Sequence, residues 1–280
     1  GQTLQDLSTS RLLPRPDSLT FLRNLSFSLT SATNWRRSLF PLHSGLLNNM
    51  RIDMINLFFK NRRKGENDLA SSKIKIIGVG NGGTNVINHL QTHGFKKDSL
   101  WACDMDGSVV KRAVTTHCLL LGQDGLGSGN SSELARKEAK KRIGEIRSMI
   151  DKDHPEVTFV VACLGGGCGT GVSPIIAEES RRMGIKTIGV VTLPFEFEGS
   201  RKFNQATAGL AELAKNTDAM FVLNNQYMLN HHSGASVITA FSKADELMRT
   251  VVCSIVDFIN AKNDKKAGNG LFGYLKKKFT

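Results

Sequence analysis

No apolar run in these 280 residues approaches the roughly 18–20 needed to cross a membrane as a helix. Paired zinc-type cysteine spacing is also missing: the five cysteines, Cys103, Cys118, Cys163, Cys168 and Cys253, are odd in number and scattered. They read as buried thiols in a reducing compartment, and Cys163 and Cys168 as small residues tolerated in a tight loop rather than as metal ligands. There is no G-x-x-x-x-G-K-[ST], so the chain is not an ordinary P-loop protein. The net charge of +12 comes without an aromatic-interleaved basic face. It lies largely in Lys60–Lys64, around Arg136–Arg142 and in Lys276–Lys278, a distribution that argues against dedicated nucleic-acid binding.

What the chain has in excess is glycine, and it is placed. The apolar run Val157–Cys163 ends in Leu164 and the stretch Gly165–Gly171, five of whose seven residues are glycine, and a helix is expected from Ser173-Pro174. So much backbone entropy is not spent on a turn. A glycine loop feeding a helix N-terminus aims several N–H groups at one point, and its usual ligand is an anion, most often phosphate.

Residues 1–49 are rich in Ser and Leu and carry Arg11, Arg15, Arg23, Arg36 and Arg37 against only Asp6 and Asp17. That composition resembles an organellar targeting segment. A disordered extension, or a natural start at Met50, would read the same way. Met50–Lys60 has the pattern of a short amphipathic helix, and Lys60–Ser72 is a charged linker. Residues 1–72 are thus expected to be extension and linker, 73–260 the folded domain and 261–280 a basic tail.

Within the domain, strands are expected at Ile74–Ile77, Leu100–Cys103, Cys118–Leu121, Val157–Cys163, Thr187–Leu193 and Ala219–Leu223. Helical periodicity separates them: Val86, Ile87 and Leu90; a helix capped by Asn130 and Glu133 and running to about Met149; Pro174–Met183; Phe203, Ala206, Leu210 and Leu213; and one long apolar helix from Val237 to Phe258. The fold class is α/β, a doubly wound, mainly parallel sheet with a long C-terminal core helix. Ligands bind such sheets at the carboxyl ends of the strands, where every glycine-rich loop of this chain falls.

Gly78-x-Gly80-x-x-Gly83 after the first strand, with Asp104 or Asp106 roughly twenty residues on, is formally the fingerprint of an NAD-dependent oxidoreductase. A dinucleotide needs one pyrophosphate cradle, however, and two further glycine loops remain. Three loops facing one edge fit a ligand with several phosphates. With no loop lysine, amide dipoles and a metal would meet its charge.

Four segments carry a resemblance to a known family. Gly165–Gly171 is one substitution from GGGTGTG, the signature of the FtsZ/tubulin GTPases. Gly80-Asn81-Gly82-Gly83-Thr84-Asn85 resembles their first nucleotide loop, Gly125-Leu126-Gly127-Ser128-Gly129 their GLGAG loop, and Pro194-Phe195-Glu196-Phe197-Glu198-Gly199 the PFxFEG segment of bacterial FtsZ. Order and spacing match from about Lys73 to Asn260.

The resemblance implies GTP or GDP, with Mg²⁺, as ligand. Gly82, Gly83 and Asn85 would approach the phosphates from the first loop, and Asp106 stands at the acid of the family's NTDA stretch. Gly127, Ser128 and Gly129 would flank the γ-phosphate, and Gly166, Gly167, Gly169, Thr170 and Gly171 would cradle the diphosphate. Thr192, Pro194 and Glu198 would line the ribose side. Asn225, Phe241 and Asp245 would hold guanine, although Phe241 also fits a core position and Asn224 leaves the register of Asn225 open by one.

Three departures bear on affinity: Cys168 replaces a threonine hydroxyl, Cys163 a glycine, and Lys202 an arginine that contacts the nucleotide. A fourth bears on catalysis. The family's N-x-D-x-x-D loop, which completes a neighbour's site in a head-to-tail filament of full-length subunits, has no equivalent in Asn260–Lys266. The expectation is therefore a GTP-binding protein of cell or organelle division, either truncated or a filament-capping or regulatory paralogue, that lacks what it would donate to its neighbour. It would be cytoplasmic, or plastid or mitochondrial if residues 1–49 are a transit peptide. Membrane contact would come only through an adaptor or the tail Gly270–Phe279.

Overall fold

Parallel strands need a crossover each, and this chain supplies one helix or more between every pair. The computed structural model describes residues 26–28, 74–115, 117–226 and 236–263. In chain order they form β1 (Ser26–Ser28), β2 (Ile74–Val79), α1 (Gly80–Thr92), β3 (Leu100–Asp104), α2 (Gly107–Arg112), β4 (Cys118–Leu120), α3 (Ser132–Lys141) and α4 (Ile143–Asp151). Then follow β5 (Val157–Cys163), α5 (Gly167–Arg182), β6 (Lys186–Leu193), α6 (Ser200–Lys215), β7 (Ala219–Asn224) and α7 (Val237–Asn263). The expectations for Met50–Lys60 and for the tail beyond residue 263 lie outside the described residues.

The sheet order is β1-β7-β6-β5-β2-β3-β4. Strands β2 to β7 are parallel, and β1, from the leading stretch, pairs antiparallel with β7, Ser26 opposite Val222. Alternation along the central strand explains why both faces are covered. On β5, Phe159 and Val161 point one way and Val160 and Ala162 the other, and all four are fully buried. The first pair packs with Val86, Ile87 and Leu90 of α1 and Met248, Val252 and Ile255 of α7. The second packs with Val172 and Ile176 of α5 and Leu210 and Leu213 of α6. This is the doubly wound sheet expected, with the long helix as part of its core.

After β4 the chain returns to the far side of β2 to lay down β5. The loops leaving β2 and β5 therefore diverge, and the crevice between them is the usual ligand site of such sheets.

Three local expectations are corrected. The glycine run is the first turn of α5, which starts at Gly167, and Pro174 sits inside the helix. Close packing is the reason: a Cβ on Gly167 would stand 2.0 Å from the Ser128 hydroxyl, and one on Gly171 2.2 Å from the Ser132 carbonyl. Only glycine lets α5 lie this close to α3. The N-cap of α3 is Ser131, whose hydroxyl accepts the Leu134 N–H, while Asn130 takes a left-handed φ of 60°. The single helix expected to Met149 is two, broken at Arg142 (φ −107°, ψ 28°), whose guanidinium donates to the Leu120 carbonyl.

At the opposite, amino edge of the sheet, Lys75 is buried and donates to the carbonyls of Met149 (2.7 Å) and Ile150 (3.0 Å), closing the C-terminus of α4. Burial pulls its pKa down to about 8. Several basic side chains of the α3–α5 surface are paired: Arg136 with Glu212, Arg142 with Glu145, and Arg147 with the buried Glu179. Among the described residues no helix is long and apolar enough to cross a membrane.

Candidate functional site

Two helix N-termini meet at the crevice without side-chain caps. Val79 precedes α1 and Gly166 precedes α5; neither supplies a capping side chain, and neither helix has an acid in its first turn. Close by, α2 and α3 are capped by Asp106 and Ser131. The uncapped ends touch: a Cβ on Gly80, itself at φ +77°, would come within 2.9 Å of the Gly169 nitrogen. The first N–H groups of each helix have no partner within their own helix, so two positive dipole ends converge on one space.

Individual glycines do different jobs. A Cβ on Gly82 would meet the Cys163 sulfur at 2.3 Å, and one on Gly83 the Val161 carbonyl at 2.5 Å, so both seat α1 against β5. Gly169 likewise faces the Cys163 carbonyl, at 2.6 Å. Gly166 alone among the glycines of Gly165–Gly171 looks into open space, its nearest neighbour being Asn130 Oδ1 at 4.0 Å. Thr170 turns its hydroxyl back to accept the Gly165 N–H at 2.8 Å, which fixes the bend.

The third loop is clasped to the end of β3. Gly107 N–H donates to the Gly125 carbonyl (2.9 Å), Gly127 N–H to the Met105 carbonyl (3.2 Å), and Asp106 bridges Leu126. Gly127 and Gly129 take left-handed φ values of 82° and 55°, and Ser128 is buried under them against Gly167. Asp106 accepts the Ser108 N–H at 2.8 Å, and its hydrogen bonds to Ser108 hold its carboxyl below the usual range. Asp104 is buried, with Oδ1 accepting the N–H groups of Met105 and Asp106, and burial raises its pKa. Turned inward in this way it cannot serve the ribose of a dinucleotide.

The fourth segment forms the rim. Thr192 is buried at the end of β6, and Pro194 lies over Gly165. Glu198 accepts the Phe195 N–H at 2.8 Å and pairs with Lys202 at 3.1 Å, so these two residues engage each other.

Next to the rim, Phe241 of α7 meets Phe195 edge-on, with centroids 4.9 Å apart, and Phe195 stacks on Phe197. Phe241 is 40% exposed, so it is not consumed by the core. One turn on, Asp245 accepts from the Asn85 amide at 3.3 Å, and burial lifts its pKa to about 6. Gln226 accepts the Glu196 N–H and so brings the end of β7 against this aromatic group. Asn224 is exposed, its oxygen taken by the Gln226 N–H. Asn225 is buried, and its Oδ1 has no hydrogen-bond partner among the described residues.

The cysteine departures resolve differently from one another. Cys168 does not face the cradle; its thiol lies 3.9 Å from the Cys103 carbonyl in the core under the loop. Cys163 lies between Gly82 and Met248, and burial pushes its thiol up to about 12. Among the described residues no cluster of His, Cys, Asp or Glu could hold a metal ion by itself.

One contributor carries no motif. Gln205 on α6 donates through Nε2 to the carbonyls of Gly165 (2.9 Å), Gly166 (3.1 Å) and Asn130 (3.1 Å), and its Oε1 accepts the Ser132 N–H at 3.3 Å. Sequence reasoning passed over it because a polar residue on an amphipathic helix reads as solvent-facing.

Known proteins share this architecture. The cell division protein FtsZ of Porphyromonas gingivalis is 39% identical over 190 residues, which is 66% of this chain and 41% of that protein. Cell division protein FtsZ 1 of Thermococcus kodakarensis is 35% identical over 191 residues, 67% of this chain and 51% of its own length. A solved FtsZ dimer, empty, from M. jannaschii superposes with a TM-score of 0.64 at 29% identity, covering 78% of this chain and 60% of that one. The chain thus spans about half the length of the curated relatives it matches. The model of the Tubulin/FtsZ family, GTPase domain, matches residues 73–233. With fold, loop geometry and that match in agreement, the chain belongs to the Tubulin/FtsZ family.

Proposed function

We propose that the chain binds GTP and GDP at this edge and serves as the nucleotide-holding part of an FtsZ-type filament subunit in cell or organelle division. The observation that carries the reading is the meeting of two uncapped helix N-termini at Gly80 and Gly169, beneath a third loop of left-handed glycines. The amides of Gly166, Gly167 and Gly169 face the diphosphate and those of Ser128 and Gly129 the terminal phosphate, while Gly127, whose N–H is held by the Met105 carbonyl, shapes the loop between them. Gly82, Gly83, Thr170 and Gly171 contribute by shaping the backbone. Mg²⁺ on the phosphates would supply the positive charge that no loop lysine provides, and Asp106, half-buried and bridged to Leu126 of the third loop, is the carboxylate that would face it. Thr192, Pro194 and the Glu198–Lys202 pair border the ribose. The Asn225 oxygen, without a hydrogen-bond partner among the described residues, and the Asp245 carboxylate are acceptors, as guanine with its ring and exocyclic N–H groups requires, and Phe241 offers a ring face.

Like subunits joined head to tail are the partners in this reading, and hydrolysis takes an acid from a neighbouring chain. A capping or regulatory role is the second reading, favoured by the absence of an N-x-D-x-x-D pattern in Asn260–Lys266. The work is placed in the cytoplasm, or in an organelle if residues 1–49 direct import.

Titration with fluorescent GTP, ATP and NAD is expected to give saturable GTP binding, with ATP and NAD at least 100-fold weaker. Absence of GTP binding at millimolar nucleotide overturns the proposal. Phosphate release should be slow for the chain alone and faster with a full-length homologue; fast release alone would place the water-activating group on this chain. At the base, Asn225→Ala should weaken GTP about tenfold, the worth of one buried hydrogen bond. Asn224→Ala should cost less than threefold, and the reverse order would move the register by one.

A further inference from the structure

We infer that Gln205 is the positioning residue of the phosphate cradle: it aims the N–H groups of Gly166 and Gly167 and locks the third loop to the Gly165–Gly171 loop. The inference rests on the nucleotide site proposed above and deepens it. A trans peptide is planar, and its N–H points opposite to its C=O. Holding the Gly165 carbonyl at 2.9 Å and the Gly166 carbonyl at 3.1 Å therefore turns the N–H groups of Gly166 and Gly167 to the far side of those planes, into the crevice.

Among the described residues Gln205 supplies the side-chain hydrogen bonds to these two carbonyls, while Thr170 holds the Gly165 N–H and a bridge joins Leu164 to Gly166. Gly165 and Gly166 have no side chains of their own, and Gly165 sits at φ +111°, so the carbonyl contacts narrow what would otherwise be a permissive backbone. The same Nε2 reaches the Asn130 carbonyl at 3.1 Å, so one amide with two hydrogens serves three carbonyls. Its Oε1 takes the N–H of Ser132, where α3 begins. Gln205 can reach because α6 lies close to α5: one turn further on, a Cβ on Gly209 would stand 2.3 Å from Thr170 Cγ2. One side chain thus holds the loop beneath the diphosphate and the loop beside the terminal phosphate. Its loss should weaken GTP more than GDP, which a general loss of stability would not do.

The test compares wild type with Gln205→Leu and Gln205→Glu. In the nucleotide-free chain, Gln205→Leu should raise amide hydrogen exchange about tenfold in both segments, 126–132 and 164–169, and leave the strands at wild-type rates. Unchanged exchange in either loop, or a uniform rise across the domain, overturns the inference. This arm needs no ligand, so it decides the role of Gln205 even if wild type binds no GTP and the functional proposal fails. With nucleotide, Gln205→Leu should weaken GTP ten- to thirtyfold and GDP less than fivefold; a wild-type GTP-to-GDP ratio counts against it. Gln205→Glu keeps the acceptor for Ser132 but has no donor when ionised. Its GTP affinity relative to wild type should recover as the pH falls from 8 to 5.5 and the carboxyl regains a hydrogen, whereas that of Gln205→Leu should stay flat. A flat ratio for Gln205→Glu overturns the donor role.

Discussion

Gly166→Val is expected to leave the domain folded and to lower GTP affinity by a factor of about a thousand or more, over 4 kcal/mol. The backbone already permits the change: Gly166 sits at φ −83°, ψ 175°, extended geometry open to any residue. A Cβ there meets no protein atom closer than 4.0 Å. The cost to folding is that of a poorer N-cap, about 1 kcal/mol or a few degrees in Tm. The space it enters, however, is the proposed phosphate cradle, where a β-branched side chain would displace the phosphate. Two nearby positions provide the contrast. At Gly169 the added carbon would press on the Cys163 carbonyl at 2.6 Å, and at Gly171 on the Ser132 carbonyl at 2.2 Å. Valine at either should unfold or severely destabilise the domain, so loss of binding there says nothing about phosphate. Thermal unfolding and fluorescent GTP titration of the three variants separate the cases. A folded Gly166→Val protein with wild-type affinity would place the phosphates elsewhere.

That contrast marks what the sequence could and could not convey. Strands buried on both faces appear as short apolar runs, so β5 and β6 were readable, and with them the parallel sheet. The glycine loops stood at strand ends, which put the site on the carboxyl edge. What each glycine was for stayed hidden, because the direction of a missing Cβ depends on which helix lies across it. Gly82, Gly83 and Gly171 belong with the motif in sequence, yet they meet β5 and α3 in space. The start of α5 was misplaced for the same reason: glycines are poor helix formers locally, and only close contact with α3 holds them helical. Lys75 and Gln205 carry no motif, since their partners lie 74 and 40 residues away in sequence. Tertiary approach makes them structural, and no local pattern records it.

Lowering the pH from 7 to 5.5 is expected to weaken GTP binding by about three- to fourfold, the loss of ionised Asp245 over that range, while stabilising the nucleotide-free domain, and Asp245→Asn should remove both responses. Burial lifts the Asp245 pKa to about 6 from the ordinary 3.8. Above 6 the group is ionised in folded and unfolded chains alike, and the folded state bears the desolvation cost. As the pH falls through 6 the folded state takes up a proton that the unfolded state does not bind until near 3.8, so this residue's contribution to stability rises. The full shift corresponds to about 3 kcal/mol, and residual solvent contact reduces it to about 1–2 kcal/mol. Lys75, with a pKa of about 8, titrates above this window. Binding should move the other way, because the ionised carboxylate is the stronger acceptor for the N–H groups of guanine. Asp245→Asn preserves the hydrogen bond with Asn85, since the replacement amide oxygen can still accept. It should stabilise the free domain at pH 7 by about 1–2 kcal/mol, weaken GTP about 100-fold and narrow the preference for GTP over ATP. A domain carries an ionised group at such a cost where the charge has a ligand to meet. If Asp245→Asn stabilised the fold and left GTP affinity and its pH profile untouched, Asp245 would be a buried acid held only by Asn85, and recognition of the base would rest on Asn225 and Phe241.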